Sequence, residues 1–328
     1  YRYYDFEGNK DDINGYIKAN FKPSEGITIF ADLQLRNVQY DFTGLDENGA
    51  PLPDSDDLTF FNPKAGITYF IDSKSQVYAS YSVANKEPSG TDYRESTPSS
   101  RPVSENLQDL EFGFRHNASR GAFGINMYYM MYRDQLVLTG EVTDVGNYTR
   151  TNIDKSYRAG IELDGFYNIH PKARLFGNLT LSENKIEEFN EFIDDFDNGG
   201  QVVNTYDNSD IAFSPGLISA VGITTKPAEN LELSVITKFV GEQYLDNTSN
   251  SERALEPYST TMINVIYRIF PKFMKEIDFT FLVNNVFDQE YESNGYTFSY
   301  IFGGEQTTEN YFYPQAGINF QGKITLKF

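Results

Sequence analysis

The stretch Leu231-Glu232-Leu233-Ser234-Val235-Ile236-Thr237-Lys238-Phe239 sets Leu231, Leu233, Val235, Thr237 and Phe239 against Glu232, Ser234 and Lys238 between them. A two-residue period sends alternate side chains to opposite faces of an extended backbone, so the segment reads as a strand with one greasy and one mostly polar face. The pattern returns in Val77, Ala79, Tyr81 and Val83 against Gln76, Ser80 and Ser82, and in Leu175, Gly177, Leu179 and Leu181 against Arg174, Asn178, Thr180 and Ser182. It returns again in Ile277, Phe279, Phe281 and Val283 against Asp278, Thr280 and Asn284. Helical periodicity of sufficient length is absent. Strands are expected at roughly 13–22, 27–41, 58–71, 76–86, 105–116, 122–135, 149–168, 173–186, 210–225, 231–245, 257–270, 277–300 and 311–328, about 13 in all, each long enough to cross a bilayer at a tilt.

Composition supports a membrane barrel over a soluble core. The chain holds 24 Tyr and 27 Phe, yet its hydrophobic content is 39% and its mean hydropathy is negative. Apolar residues that alternate with lumen-facing polar ones produce this mixture. The 328 residues do not demand division into domains, since single barrels are often this long. A net charge of −20 excludes nucleic acid, whose phosphates require Lys and Arg. The lack of cysteine is compatible with an oxidising compartment. No apolar run is long enough for a membrane helix, so any crossing is by strands.

The connections alternate between short and long. Short ones are Pro23-Ser24-Glu25-Gly26, Asp72-Ser73-Lys74-Ser75, Asn117-Ala118-Ser119-Arg120-Gly121, His170-Pro171-Lys172, Lys226-Pro227-Ala228-Glu229-Asn230 and 271–276, all rich in turn formers. Long ones fall near 42–57, 87–104, 136–148, 187–209, 246–256 and 301–310. Short turns on one rim and long loops on the other are the habit of outer-membrane barrels, with the long set outside the cell. An antiparallel barrel in one bacterial chain closes with an even number of strands, and about 13 is odd. The first strand is therefore expected to pair with something upstream, and residues 1–328 are read as the C-terminal part of one barrel domain. The chain opens at Tyr1 with neither initiator Met nor signal peptide, as expected after processing or for a fragment.

At the other end Ile318, Phe320, Ile324, Leu326 and Phe328 alternate with Asn319, Lys323, Thr325 and Lys327, a closing strand with a terminal Phe. Together with Phe61-Asn62-Pro63-Lys64-Ala65-Gly66-Ile67-Thr68-Tyr69, Val77-Tyr78-Ala79-Ser80-Tyr81-Ser82, Leu110-Glu111-Phe112-Gly113-Phe114-Arg115 and Val283-Asn284-Asn285-Val286-Phe287-Asp288-Gln289-Glu290-Tyr291, it resembles the successive strand signatures of the TonB-dependent receptor family. These segments run in family order over nearly the whole chain. The resemblance implies an all-β, transmembrane antiparallel barrel of 22 strands around an N-terminal plug, of which these would be the last 13 or so. It also implies an outer-membrane location, outer-membrane lipid as surroundings, a TonB complex acting through the plug, and energised uptake of a scarce solute. The siderophore-type branch is the nearest in character, which makes a ferric siderophore the expected cargo; cobalamin, other metal chelates and glycans are alternatives. Neither plug nor TonB box is recognisable in these residues.

Other features have competing readings. Asn62-Pro63 suits an irregular outer part of a strand. Tyr128, Tyr129 and Tyr132 fit an interfacial girdle or a lumenal platform, the girdle being favoured. Glu111, Arg115, Arg158, Glu162 and Asp164 fall on inward faces, as in a charge-laced lumen or, less simply, a paired-carboxylate hydrolase. No metal-ligand spacing, nucleotide-binding glycine loop or Ser/His/Asp arrangement is present, so no enzyme, catalytic residue, cofactor or resident metal is expected. His116 and His170 lie at short turns, which disfavours haem capture from outside. The acidic 187–210 segment, with Glu187, Glu188, Glu191, Asp194, Asp195, Asp197, Asp207 and Asp210, reads as a solvated loop, with a Ca²⁺ site as the rival. Tyr93, Arg94 and Arg101 in one long loop, and Tyr296, Tyr300 and Tyr311 near the last, are the candidate contacts for a bulky solute. A passive porin or adhesin is the rival reading, and an outer-membrane enzyme the third.

Overall fold

The computed structural model describes residues 5–45, 51, 55–94, 96, 101–142 and 148–328. The first half comprises β1 (Asp5–Ser24), β2 (Ile27–Leu45), β3 (Ser55–Phe70), β4 (Ser75–Lys86), the short helix α1 (Gly90–Arg94), β5 (Glu105–Ala118), β6 (Gly121–Val142) and β7 (Tyr148–His170). Then come β8 (Ala173–Asp195), β9 (Gln201–Asp210), β10 (Leu217–Ala228), β11 (Leu231–Val240), β12 (Gln243–Tyr244) and β13 (Ala254–Leu255). The chain ends with β14 (Tyr258–Ile269), β15 (Glu276–Asn284), β16 (Glu292–Phe302), β17 (Glu305–Pro314) and β18 (Asn319–Lys327).

One antiparallel meander, β1-β2-β3-β4-β5-β6-β7-β8-β10-β11-β14-β15-β18, forms the wall. Its register keeps each alternating set on one side. Ile29 faces Ile67, Ile67 faces Ala79, Phe112 faces Met127, Met127 faces Ile161, and Phe279 faces Ile324. Large apolar residues of this set, among them Leu33, Phe61, Leu110, Phe112, Met127, Leu181, Phe281 and Phe320, are exposed and form a continuous outer belt. In water such a belt would be untenable, and in a bilayer it is required. The opposing set (Gln34, Glu111, Asn126, Glu162, Asn178, Thr280) is polar and lines the concave face. No second sheet covers the belt among the described residues. A soluble sandwich with a dry interior is thereby excluded.

The buried apolar clusters lie instead at the long-loop ends. One joins Val38, Tyr40, Phe42, Phe60 and Tyr93, and the other joins Val137, Ile153, Ile186, Phe189 and Ile211. Strands β7 and β8 are 23 residues each, roughly 75 Å of extended chain at about 3.3 Å per residue. That exceeds what a tilted crossing of a ~30 Å hydrocarbon layer needs. Consequently the expected loop at 187–209 is a hairpin, β8 continuing to Asp195 and returning as β9.

The expected single strands at 277–300 and 311–328 are each interrupted. Wall strand β15 stops at Asn284 and β16 starts at Glu292; β17 stops at Pro314 and β18 starts at Asn319. The cause is local. Asn285 and Asp288 adopt positive φ (50° and 52°), which short Asn and Asp side chains tolerate best after glycine. Asn285 Nδ2 donates to Gln289 O at 2.8 Å, and Asp288 Oδ1 accepts from Ile318 N at 2.7 Å, so side chains replace the broken ladder. The β16–β17 hairpin thus leaves the wall and crosses to the tip of β8, where Tyr300 and Ile301 pair in parallel with Asp194 and Asp195. Similarly 210–225 is not one strand, because Ile211–Gly216 separate β9 from β10.

Asn62-Pro63 behaves as its sequence implies. Pairing of β3 with β4 begins only at Lys64, and Asn62 Oδ1 takes over by accepting from Asn85 N at 3.0 Å.

Candidate functional site

On the long-loop rim the structure assembles two pinned blocks. In the first, α1 docks on the outer ends of β2 and β3 through Tyr93, which is fully buried and lies 4.9 Å from the ring of Phe42 and 5.6 Å from that of Tyr40. Its hydroxyl donates to Asp56 Oδ2 at 2.5 Å. Burial, reinforced by the Asp56 carboxylate, raises the phenol well above its ordinary range. Arg101 covers the same ring at 5.8 Å and donates to Ser55 O at 2.9 Å. Arg94 closes α1. Tyr93 thus serves as an anchor for residues 87–94, with Arg101 its cover.

Glu87, just beyond β4, receives Arg36 Nη1 at 2.7 Å and Lys10 Nζ at 2.7 Å. Burial opposes its charge, but the hydrogen bonds from Arg36 and Lys10 outweigh that and hold the carboxyl down to about 2. A depressed carboxyl lends stability that is complete above its ordinary value of 4.5 and disappears as pH falls through about 2. Amide exchange at residues 87–94, corrected for the intrinsic rate, is therefore expected to quicken on acidification across that window. Unchanged protection would show that this ion cluster does not fasten the loop.

The second block is larger and centres on Arg253, whose side chain is only 4% exposed. Its Nη1 donates to Glu191 Oε1 at 2.5 Å and Asp246 Oδ2 at 2.6 Å, and its Nη2 to Ser299 Oγ at 2.9 Å. Burial lowers the basicity of the guanidinium, but Asp246 and then Glu191 more than restore it. One side chain thereby joins β8, the 241–257 segment and β16. Further ties complete the block: Asn247 links Leu138 O with Ala212 N, Tyr148 Oη donates to Gly295 O at 2.9 Å, and Asp210 and Ser249 bond to each other. At the tip, Asp197 accepts from Gly303 N at 2.9 Å and Gly304 N at 2.7 Å. Both glycines have positive φ, 67° and 80°, where a side chain would be strained.

On this pinned hairpin the second trio of candidates comes together. Tyr296 and Tyr311 stack at 4.9 Å, Phe298 lies 6.0 Å from Tyr311, and Tyr300 lies 6.2 Å from Phe298. Glu309 binds the row from one side, accepting from Tyr311 Oη at 2.5 Å and Tyr300 Oη at 3.1 Å, and its carboxylate raises both phenols. The result is a ladder of aromatic rings with phenolic oxygens and a carboxylate along its edge. Tyr311 and Tyr313 remain 42% exposed, so solutes can reach it. Phe298 and Glu309 were not singled out by sequence reading; their positions two residues from Tyr300 and Tyr311 on alternating strands carried the signal.

Lower in the lumen, the inward charges fall where alternation places them. Arg115 pairs with Asp164 at 3.3 Å, Asn126 Nδ2 donates to Glu162 at 3.3 Å, and Arg158 Nη1 donates to Ser214 Oγ at 3.0 Å. Glu111, Arg158 and Glu162 line a 480 Å³ concavity together with Tyr128. The tyrosine trio is divided by parity: Tyr129 faces outward, while Tyr128 and Tyr132 face the lumen, since neighbours in a strand point oppositely. His116 and His170 lie at the short-turn rim, where Ser75 Oγ and Lys172 N are their respective partners. In the β8–β9 hairpin Glu191 is engaged by Arg253, Asp195 by backbone amides, Asp210 by Lys185 and Glu187 by Lys155, and no group of three potential ligands gathers among the described residues.

A greasy outer belt, a polar concave face, short turns on one rim and interlocked long loops on the other define a transmembrane β-barrel wall. More particularly, the model of the TonB dependent receptor-like β-barrel family matches residues 1–286, and the chain belongs to that family. Among solved structures, the siderophore receptor PiuA from Acinetobacter baumannii superposes with a TM-score of 0.76 at 15% identity, over 99% of this chain and 44% of that one. The ferric-catecholate import receptor Fiu from E. coli K12, in its closed form, gives 0.70 at 16% identity, over 98% and 45%. The copper transporter OprC gives 0.73 at 15% identity, over 98% and 48%. The chain thus spans less than half the length of these structures. Comparison with curated proteins yields no match.

Proposed function

We propose that the chain is the C-terminal wall of an outer-membrane receptor that captures a scarce nutrient, a ferric siderophore, at its long-loop rim and passes it inward under the drive of TonB. The observation that carries the reading is the aromatic ladder of Tyr296, Tyr311, Phe298 and Tyr300, on a hairpin tied down by Arg253 at Ser299 and by Asp197 at Gly303. Parallel rings set in place before binding offer flat apolar surface to the aromatic or planar arms of a chelate with little ordering cost. PiuA is a siderophore receptor and Fiu a ferric-catecholate import receptor, which supports that choice of class; OprC is a copper transporter, which keeps a metal chelate in the same frame.

The remaining parts follow from the open sheet. Among the described residues β1 pairs only with β2 and β18 only with β15. Unpaired edges within lipid leave N–H and C=O groups unsatisfied at a cost of several kcal/mol each. Further strands close the barrel between these edges, a plug fills it, and TonB acts through that plug. The polar lumenal face is then a contact surface for the plug, with no catalytic role for its carboxylates.

The test uses the intact receptor. With ferric catecholate, ferric citrate and copper as probes, Tyr311→Ala is expected to weaken binding of one ferric chelate about tenfold, the effect of losing one aromatic contact at the centre of a site. Unaltered affinity for every probe would remove the ladder from the site. An intact protein of the mass of this chain alone would remove the plug.

A further inference from the structure

The short-turn rim differs in charge from the rest of this acidic chain. Each short turn has an exposed cation within it or at the strand end entering it: Lys22, Lys74, Arg120, Lys172, Lys226 and, in the last, the pair Lys272 and Lys275. The rim's acids are fewer. Glu25 and Glu229 are exposed, Asp72 is occupied by Lys74 N at 2.7 Å and Ser75 N at 2.8 Å, and Glu276 is held by Lys327 Nζ at 2.9 Å. By contrast, the opposite rim carries the acidic β8–β9 hairpin, and the whole chain stands at −20.

The last short turn adds apolar surface to this charge. Phe270 is 66% exposed and Phe273 79%, with Lys272 and Lys275 beside them. Lys275 N donates to Lys327 O at 2.9 Å, which fastens the turn to the end of β18 and sets Phe328, 89% exposed, alongside. Phe328, two residues beyond Leu326, continues the outer belt by alternation, and the turn carrying Phe273 adjoins Ile269, Ile277 and Leu326, the belt residues at this end of β14, β15 and β18. Among the described residues, neither Lys272 nor Lys275 has an ion-pair partner. Lys226 and Lys327, in comparison, are engaged with Glu232 and Glu276.

We propose that the 270–275 turn and Phe328 form a membrane foot, in which Phe273 and Phe328 enter the acyl region of the facing leaflet and Lys272 and Lys275 bind the phosphate of an anionic phospholipid. The occupant follows from position and charge: a bilayer is what the belt requires, and two adjacent ammonium groups flanking inserted rings match a phosphate above an acyl chain. The proposal rests on the membrane reading of the belt, and its test separates the two.

These 328 residues hold no tryptophan, so Phe273→Trp and, in the belt, Phe281→Trp each add one reporter within them, and the receptor without either substitution supplies the background emission. The intact receptor carrying either is reconstituted into phosphatidylcholine vesicles with and without phosphatidylglycerol, one lipid at a time bearing brominated acyl chains, and emission is compared with the parent. Both reporters are expected to be quenched. At position 273, brominated phosphatidylglycerol should quench about fivefold more effectively per molecule than brominated phosphatidylcholine, and Lys272→Gln with Lys275→Gln should abolish that preference while quenching persists. Quenching at 281 without quenching at 273 would overturn the foot, as would quenching at 273 with no preference for the anionic lipid. Absence of quenching at both would overturn the membrane reading itself.

Discussion

Replacing Arg253 with Ala is expected to unfasten the long-loop rim while leaving the wall intact. The substitution strands the carboxylates of Glu191 and Asp246, side chains 12% and 4% exposed, without their counter-charge. Breaking a buried pair by removing one partner costs about 3–5 kcal/mol, far more than the net worth of the pair itself. Because the same guanidinium also holds Ser299, the loss spreads to the β16–β17 hairpin. Hydrogen exchange should rise by two orders of magnitude or more at residues 187–210, 243–255 and 292–314, as about 3 kcal/mol of local stability implies, with the wall strands keeping their protection. Arg253→Lys should recover part of it, since one ammonium cannot reach Glu191, Asp246 and Ser299 together with a guanidinium's fork geometry. Unchanged exchange in the alanine variant would mean that the loops are held by other contacts, and the rigid ladder would lose its support.

A charge on the outer face should be as damaging to the wall itself. Leu179 and Asn178 are neighbours in β8, and register places Leu179 opposite Leu163 and Ser219 in the outer set, and Asn178 opposite Asp164 in the lumenal set. Leu179→Arg is expected to lower folding stability in phospholipid vesicles by about 2–4 kcal/mol, the cost of Arg against lipid near the bilayer centre. Asn178→Arg, one residue away, gains Asp164 as a neighbour and should be close to neutral. Equal effects of the two, measured by denaturant unfolding in vesicles, would show that the assigned faces are wrong.

The parts of the molecule that were readable in advance are those governed by local periodicity. Phe279, Phe281, Ile324 and Leu326 face outward as their alternation demands, and Glu111, Arg115, Arg158, Glu162 and Asp164 face inward for the same reason. His116 and His170 lie at short turns because the turn residues around them were legible. Reading failed where alternation continued through a change of partner. The Phe281-to-Tyr300 stretch keeps its period on either side of Asn285, so the departure of β16 from the wall was invisible until the positive φ of Asn285 and Asp288 and their side-chain bonds were seen. The ladder was half legible. Tyr296, Tyr300 and Tyr311 stand out as aromatic residues near a long loop, and alternation puts Phe298 and Glu309 on the same faces as them, but only the pairing of β16 with β17 joins the two faces into one ladder. Arg253 gave no signal at all, since an arginine in Ser251-Glu252-Arg253 is an ordinary surface sequence.

From its residues alone, then, the chain is a strand meander with a lipid-facing side and a lumenal side, because an extended backbone assigns every side chain to a face whatever it pairs with. Tertiary structure decided which long loops lock together and which tyrosines are anchors and which are accessible. Arg253 lies 62 residues from Glu191 and 46 from Ser299 in the chain. Only the curvature of the sheet and the inward kink after Asn284 bring those groups within bonding distance, and no period in the sequence records a meeting at such separation.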